Sequence, residues 1–357
     1  MCGDGVVAAD NLCFKAALTL NSEGTATALV IAGLAPPGNA LVFAIGGSLA
    51  RADYDRTTGL SGPRIIAAIT SAPMTDLDAG DLDADGDIDL LGARGASNPQ
   101  AFRGDGQGGA QSSFSVGSGE GTSVDVTVAD FYGSEPGADF AAANTSGCGT
   151  VVQLKDLSGE GLVRSALQIC SPTRVELAQT GPTTTSLASV RGKSLIVEPV
   201  IPSLAGSVTL GAATASLNLP ADTLRIQAAD LNGDNLEDLV VLTADDQIHV
   251  LLSNGSGGFT AQGGADFASY PTGAGAVDVA IGDLDGDGDR DIAVVNQGDN
   301  SLTLFVNDGT AGFTAETRAV TAGSSLSRLA VGDLDGDGVA DIAVTAAGVI
   351  LILPSDP

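Results

Sequence analysis

Tryptophan is absent, histidine occurs once, and aromatic residues make up 4% of the 357-residue chain. Cations are scarce as well: 15 Lys and Arg stand against 44 Asp and Glu, a formal net charge of -29. Such a surface repels a phosphate backbone or an anionic membrane, which excludes nucleic acid as a partner. His249, in the strand-like run QIHVLL, is the only imidazole a Ser-His-Asp triad could use, and its setting reads as a packed side chain. No P-loop, zinc pattern or reactive-cysteine context is present, so an enzyme is not expected. The uncharged run from Ala28 to Ala50 is divided by Pro36-Pro37-Gly38-Asn39 into two strand-length halves and does not read as a membrane span.

Long amphipathic helical patterns are also missing. In their place are 49 glycines and a 43% hydrophobic content carried by Val, Ile, Leu and Ala, a composition for short strands joined by tight turns. The positive mean hydropathy argues against disorder.

Self-similarity organises the chain. Four segments align directly: GDLDADGDIDLL at 80–91, ADLNGDNLEDLVVL at 229–242, GDLDGDGDRDIAVV at 282–295 and GDLDGDGVADIAVT at 332–345. Each lies between apolar stretches and reads as strand, acidic loop, strand. Degenerate copies fill the gaps. ADFYGSEPGADFAAA at 129–143 keeps Asp130 and Asp139 but carries Tyr132 and Ser134 where acids belong. ASVRGKSLIV at 188–197 has a shortened loop, and AGLAPPGNALVF at 32–43 places Gly33, Ala35, Pro37 and Leu41 at the ligand positions.

Unit starts near 33, 81, 130, 189, 230, 283 and 333 give six steps with a mean of 50 residues. That length suits a four-stranded antiparallel blade, so the fold expected is an all-β, seven-bladed β-propeller over 14–357, preceded by a short cysteine-containing segment, 1–13. The last repeat ends at Pro357 without a fourth strand, whereas FKAALTL, beginning at Phe14, stands where one would start. The N-terminal strand is therefore expected to complete the C-terminal blade and remove an exposed sheet edge.

The acidic loops share the spacing D-x-[DN]-x-D-G-x-x-D. Side-chain ligands are expected from Asp81, Asp83, Asp85 and Asp89; Asp230, Asn232, Asp234 and Asp238; Asp283, Asp285, Asp287 and Asp291; and Asp333, Asp335, Asp337 and Asp341. Position seven, namely Asp87, Leu236, Asp289 or Val339, would offer a backbone carbonyl. Six or seven oxygen ligands suit Ca²⁺, about four ions in all, better than the strict octahedron of Mg²⁺. Five carboxylates within 81–89 repel one another by roughly 3 kcal/mol per near pair at an effective dielectric of 20, so the metal is expected to be structural. An EF-hand would need Glu at position twelve, where Gly92, Val241, Val294 and Val344 stand, followed by β-formers.

With these four loops the sequence resembles the FG-GAP/VCBS family of calcium-loop propellers, found in the head of integrin α subunits and in bacterial surface proteins. The resemblance runs from about Phe14 to Pro354, and the literal Phe-Gly and Gly-Ala-Pro signatures are mostly missing. It implies an extracellular or cell-surface adhesion or protein-interaction scaffold. A glycan-binding, lectin-like propeller is the alternative, poorly supplied with stacking aromatics beyond Tyr54, Tyr132 and Tyr270; a calcium-dependent polysaccharide-degrading enzyme is a further one. The partner is thus a protein or glycan at the cell surface, met at loops near 93–100, 144–149, 243–247 and 296–301. Neither that ligand nor the oligomeric state follows from the residues.

Four cysteines, Cys2, Cys13, Cys148 and Cys170, lack metal-type spacing. Cys148 and Cys170 are equidistant from residue 159, and Ser158-Gly159-Glu160-Gly161 reads as a hairpin turn, so the two are expected to face each other as a disulfide. Cys2 and Cys13 would close an N-terminal loop, and two bridges imply an oxidising compartment. A nonreduced proteolytic digest is expected to contain a Cys148–Cys170 peptide pair by mass spectrometry; free thiols there, or links to Cys2 or Cys13, would refute the pairing.

Overall fold

The computed structural model describes residues 12, 14–22, 24–34, 38–69, 73–95, 97–115, 122–129, 139–144, 148–154, 163–170, 173–202, 208–260, 267–320 and 324–356. The chain is an all-β propeller built of antiparallel blades, each four strands deep along the path from the axis outward. Blade one comprises Ala26–Ala32, Ala40–Ile45, Ser48–Ala52 and Arg64–Ala68, with a small hairpin of Tyr54–Asp55 and Gly59–Leu60 beside it. Met74–Gly80, Asp89–Arg94, Ser97–Gly104 and Ala110–Ser115 form blade two; Ser123–Ala129, Asp139–Asn144, Cys148–Leu154 and Val163–Cys170 form blade three. Blade four contains Arg174–Gly181, Thr184–Arg191 and Ser194–Pro202, whose outer edge is shared by Val208–Leu210 and Ala215–Asn218.

Blade five repeats that arrangement with Thr223–Ala229, Asp238–Thr243 and Gln247–Ser253, edged by Phe259–Thr260 and Ala268–Pro271. Blade six is Ala276–Gly282, Asp291–Asn296, Ser301–Asn307 and Phe313–Ala319. The last blade joins Leu329–Gly332, Asp341–Ala346 and Val349–Leu353 to the N-terminal strand Leu18–Asn21. Leu18 pairs with Ile352 and Asn21 with Val349, and Phe14 makes an isolated bridge to Ser355. The inner strands pack one on the next around the axis, and Leu329–Gly332 packs back on Ala26–Ala32.

Second strands such as Asp291–Asn296 and Asp341–Ala346 are buried along their whole length. A blade covered on both faces has no polar side, hence the unbroken apolar runs after each acidic loop. The core is accordingly divided among blade interfaces: Leu41 and Phe43 of blade one meet Ala343, Ile350 and Ile352 of the last blade. The run from Ala28 to Ala50 supplies strands of blade one, and no described helix is long and apolar enough to cross a membrane.

The repeat position near residue 189 is corrected by the pairing. The first turn of blade four lies at 181–184, and Arg191-Gly192-Lys193-Ser194 is its second turn. Without an acidic loop both turns are equally tight, so ASVRGKSLIV resembles a first-turn segment although it is the next one. Cys148 and Cys170 are opposed Cα partners in neighbouring strands of blade three. Their side chains, the turn at 158–161, Cys2 and Cys13 lie outside the described residues, as does the degenerate loop at 130–138.

Inner strands have a free edge toward the axis, and their unpaired backbone groups need partners. Charged side chains of earlier blades around the ring provide them, in most cases from the blade immediately before. The Val126 amide donates to Asp76 Oδ2 at 3.1 Å, the Val175 amide to Asp125 Oδ2 at 2.9 Å and the Leu329 amide to Asp278 Oδ2 at 3.0 Å. Arg174 Nε donates to the Leu224 carbonyl at 2.5 Å, and Arg328 to the carbonyls of Thr27 and Thr75 at 3.1 and 3.0 Å. Arg225 Nε closes the series on Asp278 Oδ1 at 2.5 Å.

Burial, and then the neighbouring Asp76, push the Asp125 carboxyl up to about 8, although Arg174 and Arg225 oppose the shift. Its folded value lies above the unfolded one, so its contribution is fully present at low pH and is lost as pH rises through about 8. Asp125→Asn, which cannot ionise, is expected to gain stability relative to the wild type on going from pH 5 to pH 9 in parallel urea titrations; an unchanged difference would show that the burial is relieved some other way.

Candidate metal centres

The four acidic loops join the first and second strands of blades two, five, six and seven. Their path depends on two left-handed residues. Position four is Ala84, Gly233, Gly286 or Gly336, with φ of 62°, 74°, 80° and 78°; position six is Gly86, Asn235, Gly288 or Gly338, with φ of 90°, 63°, 97° and 91°. Position six is therefore not always glycine: Asn235 takes it in the loop at 230–238, and Asn tolerates this region better than other side chains with a Cβ. Ala84 is the residue held there at a steric cost of roughly 1–2 kcal/mol.

The position-one carboxylate organises the turn. Asp283 accepts from the amides of Gly286 (2.7 Å) and Gly288 (3.0 Å), and Asp333 from Gly336 (2.7 Å) and Gly338 (2.9 Å). Asp230 accepts from Gly233 and Asn235, both at 2.8 Å, and Asp81 from Gly86 at 3.1 Å. Position five is held by the amide two residues on: Asp85 by Asp87, Asp234 by Leu236, Asp287 by Asp289 and Asp337 by Val339. The side chains of Asp87 and Asp289 turn toward the next hairpin, where a Cβ on Gly106 or Gly309 would stand 2.6 or 2.5 Å from their carboxylates. Glu237 is drawn out of its loop by the Gln179 amide at 2.6 Å.

Position nine is expected as a ligand, and the structure gives it a second task. Asp89, Asp238, Asp291 and Asp341 are essentially inaccessible, and each receives two backbone N–H groups. One comes from position two: Leu82, Leu231, Leu284 and Leu334, at 2.7–3.1 Å. The other comes from the end of the third strand or just beyond: Gly104, Ser253, Asn307 and Ser355, at 2.7–2.8 Å. Burial pushes Asp89 up to about 6 and Asp238 and Asp291 up to about 7, against those hydrogen bonds. Asp341 is raised by burial too, and Asp83 and Asp285 by burial and then by Asp85 and Asp287.

Ligand oxygens converge in three loops. Asp81, Asp83 and Asp85; Asp283, Asp285 and Asp291; and Asp333, Asp335 and Asp341 each bring carboxylate oxygens within 4.8 Å of one another. In the loop at 230–238 no three carboxylates do so among the described residues, and Asn232 turns its Oδ1 to the Asp234 amide at 2.9 Å. Asp81 Oδ1, Asp83 Oδ1 and Asp335 Oδ1 are buried without a hydrogen-bond partner among the described residues. Cations of the chain approach two loops: Arg103 lies 3.4 Å from Asp83, while Lys15 and Arg56 lie 3.4 and 2.7 Å from Asp335, with Arg56 also on Asp337.

The loops are also joints between blades. The Ala340 amide of the last blade donates to the Asp283 carbonyl at 2.7 Å, and Asn39 of blade one to the Asp333 carbonyl at 2.7 Å. Asn307 of blade six reaches the Leu231 carbonyl of blade five at 2.7 Å.

His249 is buried, with Nε2 3.0 Å from Thr243 Oγ1, Nδ1 2.8 Å from Ser269 Oγ, and its ring edge-on to Phe267. Thr243 in turn donates to Asp245 at 2.6 Å. The corresponding positions of blade six hold Asn296, Thr303 and Thr317, bonded in the same order at 3.0 and 3.1 Å. A site filled equally by threonine one blade further on is a cross-strand polar ladder. Burial lowers the His249 pKa, keeping the ring neutral.

Comparison with known proteins agrees with this architecture. The FG-GAP-like repeat model matches residues 230–294 and 283–344, so the chain carries FG-GAP-like repeats. No curated protein matches the sequence. Among solved structures, the crystal structure of BBS1N in complex with ARL6DN soaked with lead is similar with a TM-score of 0.68 and 11% identity, covering 96% of this chain and 97% of that one. The same complex soaked with mercury gives 0.68 and 12%, with the same coverage. At this identity the likeness is one of fold.

Position nine separates the loop's structural role from any metal. In the presence of a chelator, Asp291→Asn leaves one of two buried N–H groups facing an NH₂ and is expected to cost roughly 1.5–3 kcal/mol in denaturant unfolding. Asp287→Asn, whose exposed loop keeps an acceptor, is expected to cost far less; equal losses would dismiss the distinction.

Proposed function

We propose that this FG-GAP-like repeat propeller is a non-enzymatic protein-interaction scaffold, exported to the cell surface or beyond, whose blades are locked by structural Ca²⁺ at 81–89, 230–238, 283–291 and 333–341. The observation that carries the calcium is the set of buried, unpartnered oxygens of Asp81, Asp83 and Asp335, set in loops of facing carboxylates. Each such oxygen costs about 1–3 kcal/mol unless a cation or donor reaches it. A hard divalent ion would use these atoms together with a position-seven carbonyl, and would rigidify joints that already bind one blade to the next. The absorbed state of His249 favours binding over catalysis.

Export is supported by the opposed Cys148 and Cys170, since a bridge there would persist only in an oxidising compartment. Protein binding is the reading carried over from the propeller crystallised with ARL6DN. The second-to-third strand turns at one end of the blades are the surface we assign to it. A glycan partner is less favoured because Tyr270 is engaged edge-on with Phe305 and Phe313, and Tyr54 packs on the core of blade one. Pull-down from cell-surface material with and without calcium, beside a glycan array, separates the two: capture of a glycan alone would displace the protein reading.

Occupancy at a hundredfold excess over Kd adds about 2.7 kcal/mol per site, so four sites would add on the order of 11 kcal/mol. Chelation is accordingly expected to lower Tm markedly; an unchanged melting curve would end the structural-calcium reading. Calcium titration is expected to find the loop at 230–238 weakest, having one carboxylate fewer, and Arg56→Ala should tighten the loop at 333–341 by removing its resident cation.

A further inference from the structure

Seven inner strands place side chains around the axis in tiers, and the cavity they enclose measures about 650 Å³. That volume is in the range of small-molecule sites. Its base is the set of Asp and Arg side chains that cap neighbouring blade edges, and every charge in that set is engaged. The next tier, two residues further along each strand, is different. Four consecutive blades contribute Asp78, Thr127, Glu176 and Gln227, and the other three contribute Val30, Ala280 and Ala330. One wall is therefore polar and acidic and the facing wall apolar.

The polar wall is under-satisfied. Among the described residues Glu176 receives only the Thr127 hydroxyl, at 3.3 Å on Oε1, and the Gln227 amide has no hydrogen bond. Asp78 accepts the amides of Ala79 and Val128, at 2.8 and 2.7 Å, but no described Lys or Arg pairs with it or with Glu176. Across the whole lining, seven acids, Asp230 and Glu237 included, face three arginines. An anion is disfavoured in such a space, and water alone would leave the Asp78 and Glu176 carboxylates, which act on one another electrostatically across the cavity wall, without a countercharge.

We propose that this axial cavity binds a small organic cation, an alkylammonium whose charged nitrogen lies between Asp78 and Glu176, with the Gln227 carbonyl as a further acceptor, and whose carbon body lies against Val30, Ala280 and Ala330. The site is separate from the acidic loops and does not depend on their ion.

The test is calorimetric titration of the full chain, with calcium present to fill the loops, using 1,4-diaminobutane, tetramethylammonium and the neutral 1,4-butanediol. Saturable binding of a cation near one per chain is expected, and none of the diol. Glu176→Gln should weaken it at least about tenfold, Gln227→Glu should strengthen it severalfold, and Glu198→Gln, on the outer part of blade four, should change nothing. Because Glu176→Gln removes a buried ionisable group that has no countercharge while keeping the Thr127 contact, its Tm should not fall. The proposal is overturned by absence of saturable binding, by equal losses in Glu176→Gln and Glu198→Gln, or by a lower Tm in Glu176→Gln, which would make that carboxylate part of the fold.

Discussion

A radial blade ends at the axis in a strand whose inner backbone groups have no neighbouring strand, and the ring stands or falls on how they are satisfied. Here an Asp or Arg of one blade caps a free amide or carbonyl of the next, through Asp76, Asp125, Arg174, Asp278 and Arg328, while Arg225 pairs with the Asp278 carboxylate. Capping by charge brings ionisable groups into a poorly solvated place, which is why Asp125 is displaced so far upward. Three acids and three arginines match in number in that tier, and the acids without a partnering arginine stand in the tier above it.

The acidic loops solve the same problem at the end of the strand. A nine-residue loop cannot bury its own amides, so Asp at positions one, five and nine collects them, and the position-nine residue also holds the end of the third strand. These carboxylates have work in the fold before any ion arrives. Their remaining oxygens, some buried and unpartnered, are what a cation would use. Since carbonyls of the same loops accept hydrogen bonds from adjacent blades, an ion bound there would be coupled to blade cohesion.

A propeller of this kind has its interior committed largely to cohesion and its turns free to vary. His249 illustrates the first half: in blade six the same place is filled by Thr303, and the ladder persists. Aromatic side chains are equally committed, as Tyr270 is to Phe305 and Phe313. What remains open to partners is the set of loops at the blade ends and the mouth of the axial cavity.

The residues by themselves determined the blade repeat, the four loops, their candidate ligands and the N-terminal strand's place beside Val349–Leu353, because each depends on local spacing or on a strand visibly missing from the last repeat. Periodicity also carries a further signal: Asp76, Asp125, Arg225, Asp278 and Arg328 each stand five residues before a loop start, a charge in or immediately before an apolar strand. Where local cues were equal, in blade four, only pairing chose the first turn at 181–184. Tertiary structure alone decided that position nine binds backbone as well as facing the loop, that Arg56 and Lys15 come to Asp335 from across the ring closure, and that Asp78 and Glu176 share one cavity wall. Those contacts join residues tens to hundreds of positions apart, and no spacing rule along a chain encodes which blades become neighbours when a ring closes.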